Sequence, residues 1–148
     1  MTQATQDLMK LYSERILALA SACPLTERLD APQGTATKRS PLCGSTVTVD
    51  VALEDGRVKA FGQDVKACAL GQSSASVLGG AVIGRTRDEI AEGREALRAM
   101  LKEGAAPPAA PFDALEALSP ARDYKNRHAS IMLAWDATLA AMDAAAPC

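Results

Sequence analysis

The chain has 148 residues, 48% hydrophobic and 23% charged, so it is long enough to bury a core and too apolar to be disordered. A formal net charge of −2 and only two Phe, two Tyr and one Trp argue against a nucleic-acid-binding surface. No apolar stretch approaches the roughly 20 residues that a membrane-spanning helix requires.

The first half of the chain predicts one helix followed by three strands. Apolar residues recur at helical spacing over residues 3–22, and a polar connection, residues 24–34, follows. Strands are predicted at residues 35–40, 46–54 and 57–65. In the second strand Val47, Val49, Val51 and Leu53 alternate with other residues, which places them on one face. Asp55-Gly56 then predicts a tight hairpin to the third strand.

The second half predicts three helices. A segment rich in small residues follows Cys68 and is expected to end at Gly84. A second helix, residues 86–103, has Thr86 and Glu89 in a capping-box pattern and Gly104 as its stop. The last is expected over residues 120–142, with its apolar side around Trp135. The order predicts a single α+β domain, residues 1–148, with helices packed on one face of a three-stranded antiparallel sheet.

Two of the four cysteines are expected to lie close together. Cys43 precedes the second predicted strand, and Cys68 follows the third. Because these strands form a hairpin, the end of one returns beside the start of the other. A helix start at Cys68, and nearby Lys66 and Arg39, would favour the thiolate. The alternative is that both cysteines are small buried hydrophobic residues.

His128 is the only histidine, and it falls on the apolar side of the last predicted helix. It is either a hydrogen-bonded core residue or a metal ligand. The sequence contains no phosphate-binding loop and no Ser nucleophile elbow, and a Cys–His dyad would lack an orienting residue. We therefore expect no catalytic residues. We also expect a cytoplasmic protein, in which cysteines are thiols or metal ligands rather than disulfides.

Three motifs in order resemble the iron–sulfur cluster assembly scaffolds of the NifU N-terminal, IscU and SufU type. They are P-L-C-G with the alternating strand (residues 41–53), K-A-C-A-L-G-Q-S-S-A-S (66–76) and R-D-Y-K-N-R-H-A-S-I-M-L-A-W (122–135). The resemblance implies a cluster held by three cysteines with an aspartate or histidine. Cys43 and Cys68 match the first two cysteines. Ser45 stands at the aspartate position and Ser130 at the third cysteine, and His128 is one residue out of register with the family's histidine.

The resemblance implies a scaffold or carrier for a [2Fe-2S] cluster or iron, not an enzyme. Cys43 and Cys68 are the expected primary ligands, His128 is a candidate third ligand, and Ser45 and Ser130 are weak or water-mediated ones. A cysteine desulfurase and apo iron–sulfur acceptor proteins are the implied partners, and a homodimer could pool four cysteines. One alternative is a zinc-binding accessory or sulfur-transfer module acting with a desulfurase, in which Cys43, Cys68 and His128 hold Zn²⁺. Another is a metal-free interaction protein on the same fold.

Overall fold

The computed structural model describes residues 12–41 and 44–146. In chain order the elements are α1 (Glu14–Ser21), β1 (Gly34–Arg39), β2 (Thr46–Glu54), β3 (Arg57–Lys66), α2 (Ala69–Ala81), α3 (Arg87–Glu103), a 3-10 helix (Asp113–Asp123) and α4 (Lys125–Ala145). None of the helices in this part of the chain is long and apolar enough to cross a membrane.

The three strands form one antiparallel sheet in the order β1-β2-β3, as the sequence predicts. The β2–β3 hairpin turns at Asp55 and Gly56, whose φ angles are 53° and 76°; positive φ at both turn residues suits the twist of the strands. Thr46 pairs with Lys66 at the opposite end of the hairpin. The segment that follows β3 therefore starts beside the first residue of β2.

One face of the sheet is covered by helices, which confirms the predicted α+β architecture. Val47, Val49 and Val51 are buried, and α4 packs against both β1 and β2. Leu53, predicted on the same face, is only half-buried. The β2–β3 register shifts between Ala52 and Leu53, and such a bulge interrupts the strict alternation of side chains.

The other face of the sheet carries a buried carboxylate, Asp50, beneath the connection between α1 and β1. Arg28 binds it through Nε at 2.6 Å and Nη2 at 3.0 Å. The backbone N–H of Leu29 donates to it at 3.0 Å and the hydroxyl of Thr35 at 2.7 Å. These contacts, led by the Arg28 hydrogen bonds, hold the pKa of Asp50 below its usual range.

The predicted first helix is wrong at Ser13, where the backbone is extended and the hydroxyl accepts a hydrogen bond from the N–H of Ile16. Serine competes for helix N–H groups in this way and therefore caps a helix more readily than it continues one. The predicted residues before Tyr12 lie outside the described part of the chain.

Two further helix boundaries differ from the prediction, and one agrees with it. Helix α2 ends at Ala81, before Gly84. Residues 120–123 belong to the 3-10 helix, with Pro120 inside it, so α4 starts only at Lys125. The capping box of Thr86 and Glu89 and the end of α3 at Gly104 are as expected.

Helix α4 is buried on most of its surface, whereas the sequence predicts one apolar side. It lies between the sheet and helices α2 and α3. Trp135 is fully buried, packs edge-on against Phe112 at 4.9 Å between ring centroids, and donates from Nε1 to the hydroxyl of Ser74 at 3.0 Å. A helix enclosed by three elements needs small or apolar residues all round.

We expect Asp50→Asn to lower the free energy of unfolding at neutral pH by about 1.5–3 kcal/mol, because it removes hydrogen bonds to a charged group. The depressed pKa of Asp50 contributes stability that is present above the unfolded-state value of about 3.9 and is lost as pH falls through the folded-state pKa. Denaturant unfolding at several pH values should therefore show wild type and variant converging in acid.

Asp143→Asn is the matched control. Asp143 binds Arg87 at 2.6 Å, but both side chains are about half exposed, so the change should stay within about 1 kcal/mol. A difference between wild type and Asp50→Asn that does not shrink in acid would contradict the assigned charge of Asp50.

Candidate functional site

The loop between β1 and β2 has fixed ends. The N–H of Ser40 donates to the carbonyl of Ser45 at 2.9 Å, and the N–H of Gly44 donates to the carbonyl of Ser40 at 2.9 Å. The strand ladder thus continues one residue pair beyond β1. Cys43, predicted to be a ligand, lies within this loop but outside the described residues.

Cys68 occupies the N-cap position of α2, two residues after β3. Its backbone is extended, with φ −66° and ψ 172°, and its side chain is half-buried. Lys66 is expected from the sequence to favour the thiolate of Cys68. Its side chain is 76% exposed, and its ammonium lies 4.0 Å from the carboxylate of Asp64. The position of Cys68 at the start of a helix agrees with the sequence analysis.

Three of the predicted site residues meet in one cluster, which we call the serine–cysteine cluster: Cys68, Ser130 and Ser45. The sulfur of Cys68 lies 3.6 Å from the hydroxyl oxygen of Ser130. Ser130 in turn donates to the hydroxyl of Ser45 at 3.2 Å. The three side chains come from α2, α4 and the start of β2, so the cluster marks the point where the sheet meets both helices.

Close packing of α2 on α4 places Ser130 in this cluster. A Cβ on Gly71 would lie 2.7 Å from the hydroxyl oxygen of Ser130 and 3.1 Å from its carbonyl oxygen. Because real Cβ atoms do not approach so closely, only glycine permits this separation of the helices. Ser130 is 1% exposed and Ser45 6%, so the cluster is largely shielded from water.

The hydroxyl of Ser130 has a single proton, which limits what the cluster can do. In its bond to Ser45 that proton is used, and a Cys68 thiol can then donate to the Ser130 oxygen. A Cys68 thiolate has no proton and must accept one instead. The cluster therefore supports the thiol as it stands, and it supports the thiolate when the Ser130 hydroxyl rotates toward sulfur.

Ser40 is a further residue of this corner, and sequence reasoning missed it. It is 1% exposed, and its hydroxyl has no hydrogen-bond partner within residues 12–41 and 44–146. Its backbone bond to Ser45 places the two residues opposite each other, so their side chains share the helix-covered face. The register of β1 on β2 could have identified Ser40, but the sequence predicts that register only to within a residue or two.

His128 is not brought into contact with the serine–cysteine cluster. Its Nε2 donates to the carbonyl of Ala121 at 2.9 Å, and the side chain is buried. Two residues of a helix separate it from Ser130, a rotation of about 200°. Among the described residues no group of three His, Cys, Asp or Glu side chains could hold a metal ion. Ligation by His128 stays a prediction.

Comparison with solved structures finds a neighbour of high identity. A nitrogen-fixing NifU-like protein (N-terminal) from Brucella abortus is 42% identical, with a TM-score of 0.91 over 94% of this chain and 96% of that one. The fold is shared with a putative iron–sulfur cluster assembly scaffold protein for the SUF system from Fervidobacterium islandicum, at 19% identity, TM-score 0.81, covering 90% and 98%. No family model and no curated protein matches the sequence.

The orphaned hydroxyl of Ser40 allows a direct test of the corner's packing. We expect Ser40→Ala to leave the free energy of unfolding unchanged or slightly raised, because it removes a buried hydroxyl that lacks a partner. Ser74→Ala, the matched control, should cost about 1–3 kcal/mol, since it leaves the buried indole N–H of Trp135 without its acceptor. An equal cost for both variants in denaturant unfolding would show that the hydroxyl of Ser40 is not without a hydrogen-bond partner.

Proposed function

Because the chain belongs to the family of NifU-, IscU- and SufU-type iron–sulfur cluster assembly scaffolds, we propose that it binds a transient [2Fe-2S] cluster or iron and hands it on. The observation that carries the proposal is the serine–cysteine cluster. It places a half-buried thiol and two hydroxyls at the sheet corner where the Cys43 loop begins and ends.

Cys43 and Cys68 are the proposed primary ligands. The fixed ends of the Cys43 loop, at Ser40 and Ser45, lie on the same side of the molecule as Cys68, since Ser45 is joined to Cys68 through Ser130. Thiolates are the usual ligands of iron–sulfur clusters. The iron–sulfur cluster is what the chain carries. The chain's part is to hold this iron–sulfur cluster and partly shield it from water.

The number of thiolates per chain limits how a cluster is held. A cluster ordinarily takes four cysteine ligands, and one chain supplies Cys43 and Cys68. The hydroxyls of Ser45 and Ser130 are poor ligands at neutral pH, and we assign them a weaker role, hydrogen bonding to thiolate or sulfide sulfur. A homodimer that pools both cysteines from each copy would complete the set.

The proposal implies two partner proteins, one that acts before the iron–sulfur cluster is bound and one that acts after it. A cysteine desulfurase would supply sulfur, and apo iron–sulfur proteins would accept the cluster. The chain itself turns over no substrate, so we propose a carrier and not an enzyme, acting in the cytoplasm. His128 would join the ligands only if its ring released the carbonyl of Ala121.

Anaerobic reconstitution with iron and sulfide tests the proposal. Wild type should develop the absorbance of a cluster, and both Cys43→Ala and Cys68→Ala should lose it. Cys23→Ala is the matched control, because Cys23 is also a half-buried free thiol but lies against Gln63, 3.6 Å away, outside the serine–cysteine cluster. About one cluster per two chains is expected for the shared site.

The zinc content of the protein as isolated distinguishes the two alternatives, a zinc-binding accessory module and a metal-free interaction protein, from the scaffold. Stoichiometric zinc that is lost in Cys43→Ala, Cys68→Ala and His128→Gln, with no cluster formed, would replace the scaffold by a zinc-holding accessory module. Neither metal in any preparation would leave an interaction protein on the scaffold fold.

Restoring a third thiol should strengthen the site. Ser130→Cys would place a sulfur beside that of Cys68, since the present oxygen lies 3.6 Å away. We expect the cluster-to-chain ratio to rise toward about one, and the cluster to survive chelator longer, because each chain then offers three thiolates.

Ser130→Ala is the control, because it removes the hydroxyl without adding a ligand. We expect it to lower cluster retention by roughly tenfold, the scale measured for groups that hydrogen-bond to metal ligands. Reconstitution would be done under reducing conditions, so that Cys68 does not form a disulfide in Ser130→Cys. Equal retention in Ser130→Cys and Ser130→Ala would contradict the placement of the cluster beside Cys68.

A further inference from the structure

A concavity apart from the serine–cysteine cluster lies where α3 ends, the 3-10 helix ends and α4 begins. Its volume is about 530 Å³, and it is lined by Leu101, Lys102, Arg122, Asp123, Lys125 and His128. Cavities of this size accommodate small molecules. Cys68, Ser45 and Ser130 do not contribute to its wall, whereas His128 does.

The charge of the wall is positive and uncompensated. Lys102, Arg122 and Lys125 face one acid, Asp123. None of the three cations forms an ion pair within the described part of the chain. Glu103, the neighbour of Lys102, is bound instead by Arg98 at 2.7 Å. Three cations around one concavity make a binding site for an anion.

The guanidinium of Arg122 lies close to the backbone at Gly104. A Cβ at position 104 would lie 2.6 Å from Cζ and 2.7 Å from Nη1 of Arg122, and Gly104 has a φ of 68°. Glycine therefore serves both the left-handed end of α3 and the close approach of Arg122. Arg122 is exposed, and its planar guanidinium offers several N–H donors to an oxyanion.

The start of α4 adds a second, independent indication. This helix has 21 residues, no side-chain cap at Tyr124 and no acid in its first turn, whereas α3 has a complete capping box. Lys125 stands instead at the positive end of the helix dipole, an unfavourable arrangement that a bound anion would offset.

His128 indicates which kind of anion fits. The side chain is 4% exposed, and its Nε2 donates to the carbonyl of Ala121. Among the described residues no hydrogen bond is found to Nδ1. In the neutral ring Nδ1 accepts a hydrogen bond. A hydrogen phosphate group offers both negative oxygens for the cations and a P–OH donor for this nitrogen, whereas an ionised carboxylate offers no donor.

We propose that this cavity binds inorganic phosphate, in its hydrogen phosphate form. Arg122, Lys102 and Lys125 bind the negative oxygens, and Nδ1 of His128 accepts from the remaining hydroxyl. Among the described lining residues Leu101 is the one apolar side chain and none is Phe, Tyr or Trp, so a nucleobase has little stacking surface. The proposal does not depend on the cluster-binding function.

Calorimetric titration with inorganic phosphate at constant ionic strength tests it. Saturable binding of one phosphate per chain is expected, weakened about tenfold or more in Arg122→Gln, because a hydrogen bond to a charged group is lost. Asp123→Asn should bind more tightly than wild type, since it removes the one negative charge in the wall. Lys59→Gln is the control for net charge, as Lys59 is a mostly exposed residue of β3 paired with Glu54.

The choice of anion tests the contact with His128. Glycerol phosphate, whose ester phosphate has lost most of its P–OH at neutral pH because its second pKa is about 6, should bind more weakly than inorganic phosphate, and equally tight binding would contradict the role of Nδ1. Sulfate, which has no hydroxyl at neutral pH, should bind more weakly than phosphate. No saturable binding, an equal loss in Lys59→Gln, or sulfate and citrate binding as well as phosphate would each overturn the proposal.

Discussion

The close contact of α4 with the sheet and with α2 is the constraint on which the rest of the molecule depends. At Gly34 a Cβ would lie 2.1 Å from the carbonyl oxygen of Ala141, and at Gly71 it would lie 2.7 Å from the hydroxyl of Ser130. The helix is thus pressed against backbone on two sides. Most of its buried residues are small or apolar, and its buried polar side chains, His128, Ser130 and Thr138, have hydrogen-bond partners.

This constraint explains why both candidate sites lie at the amino end of α4. Between Ser130 and Met142 the helix is largely enclosed, and its two ends reach the edge of the core. Ser130 faces the sheet corner and Cys68, while His128 faces the cationic cavity. Opposite sides of the same helix start therefore have different chemistry: thiol and hydroxyl groups on one side, and unpaired cations on the other.

Local signals in the sequence were enough for much of the fold. The Asp55-Gly56 turn and the Thr86–Glu89 capping box depend on residues within four positions of each other, and the structure has both. The extended backbone at Ser13 and the 3-10 helix over Asp113–Asp123 were missed. Capping by serine competes with helix continuation, and a run of 3-10 turns has no hydrophobic period of its own.

Some residues of the candidate site could be predicted from the sequence, and others depended on the exact packing of the elements. Strand topology brought the residues around Cys68 to the start of β2, and the family resemblance pointed to Ser45 and Ser130. The hydroxyl of Ser40 could be placed only once the register of β1 on β2 was known. The separation of His128 from the cluster depends on the exact rotation of α4, which an apolar pattern spread over most of the helix surface does not specify.

The contacts that build the serine–cysteine cluster join residues far apart in the chain, 62 positions from Cys68 to Ser130 and 85 from Ser45 to Ser130. During synthesis the sheet and α2 leave the ribosome well before α4 does. The thiol of Cys68 is then without its hydroxyl neighbour, and the valine face of β2 is uncovered. A nascent chain therefore lacks the assembled serine–cysteine cluster until α4 has docked.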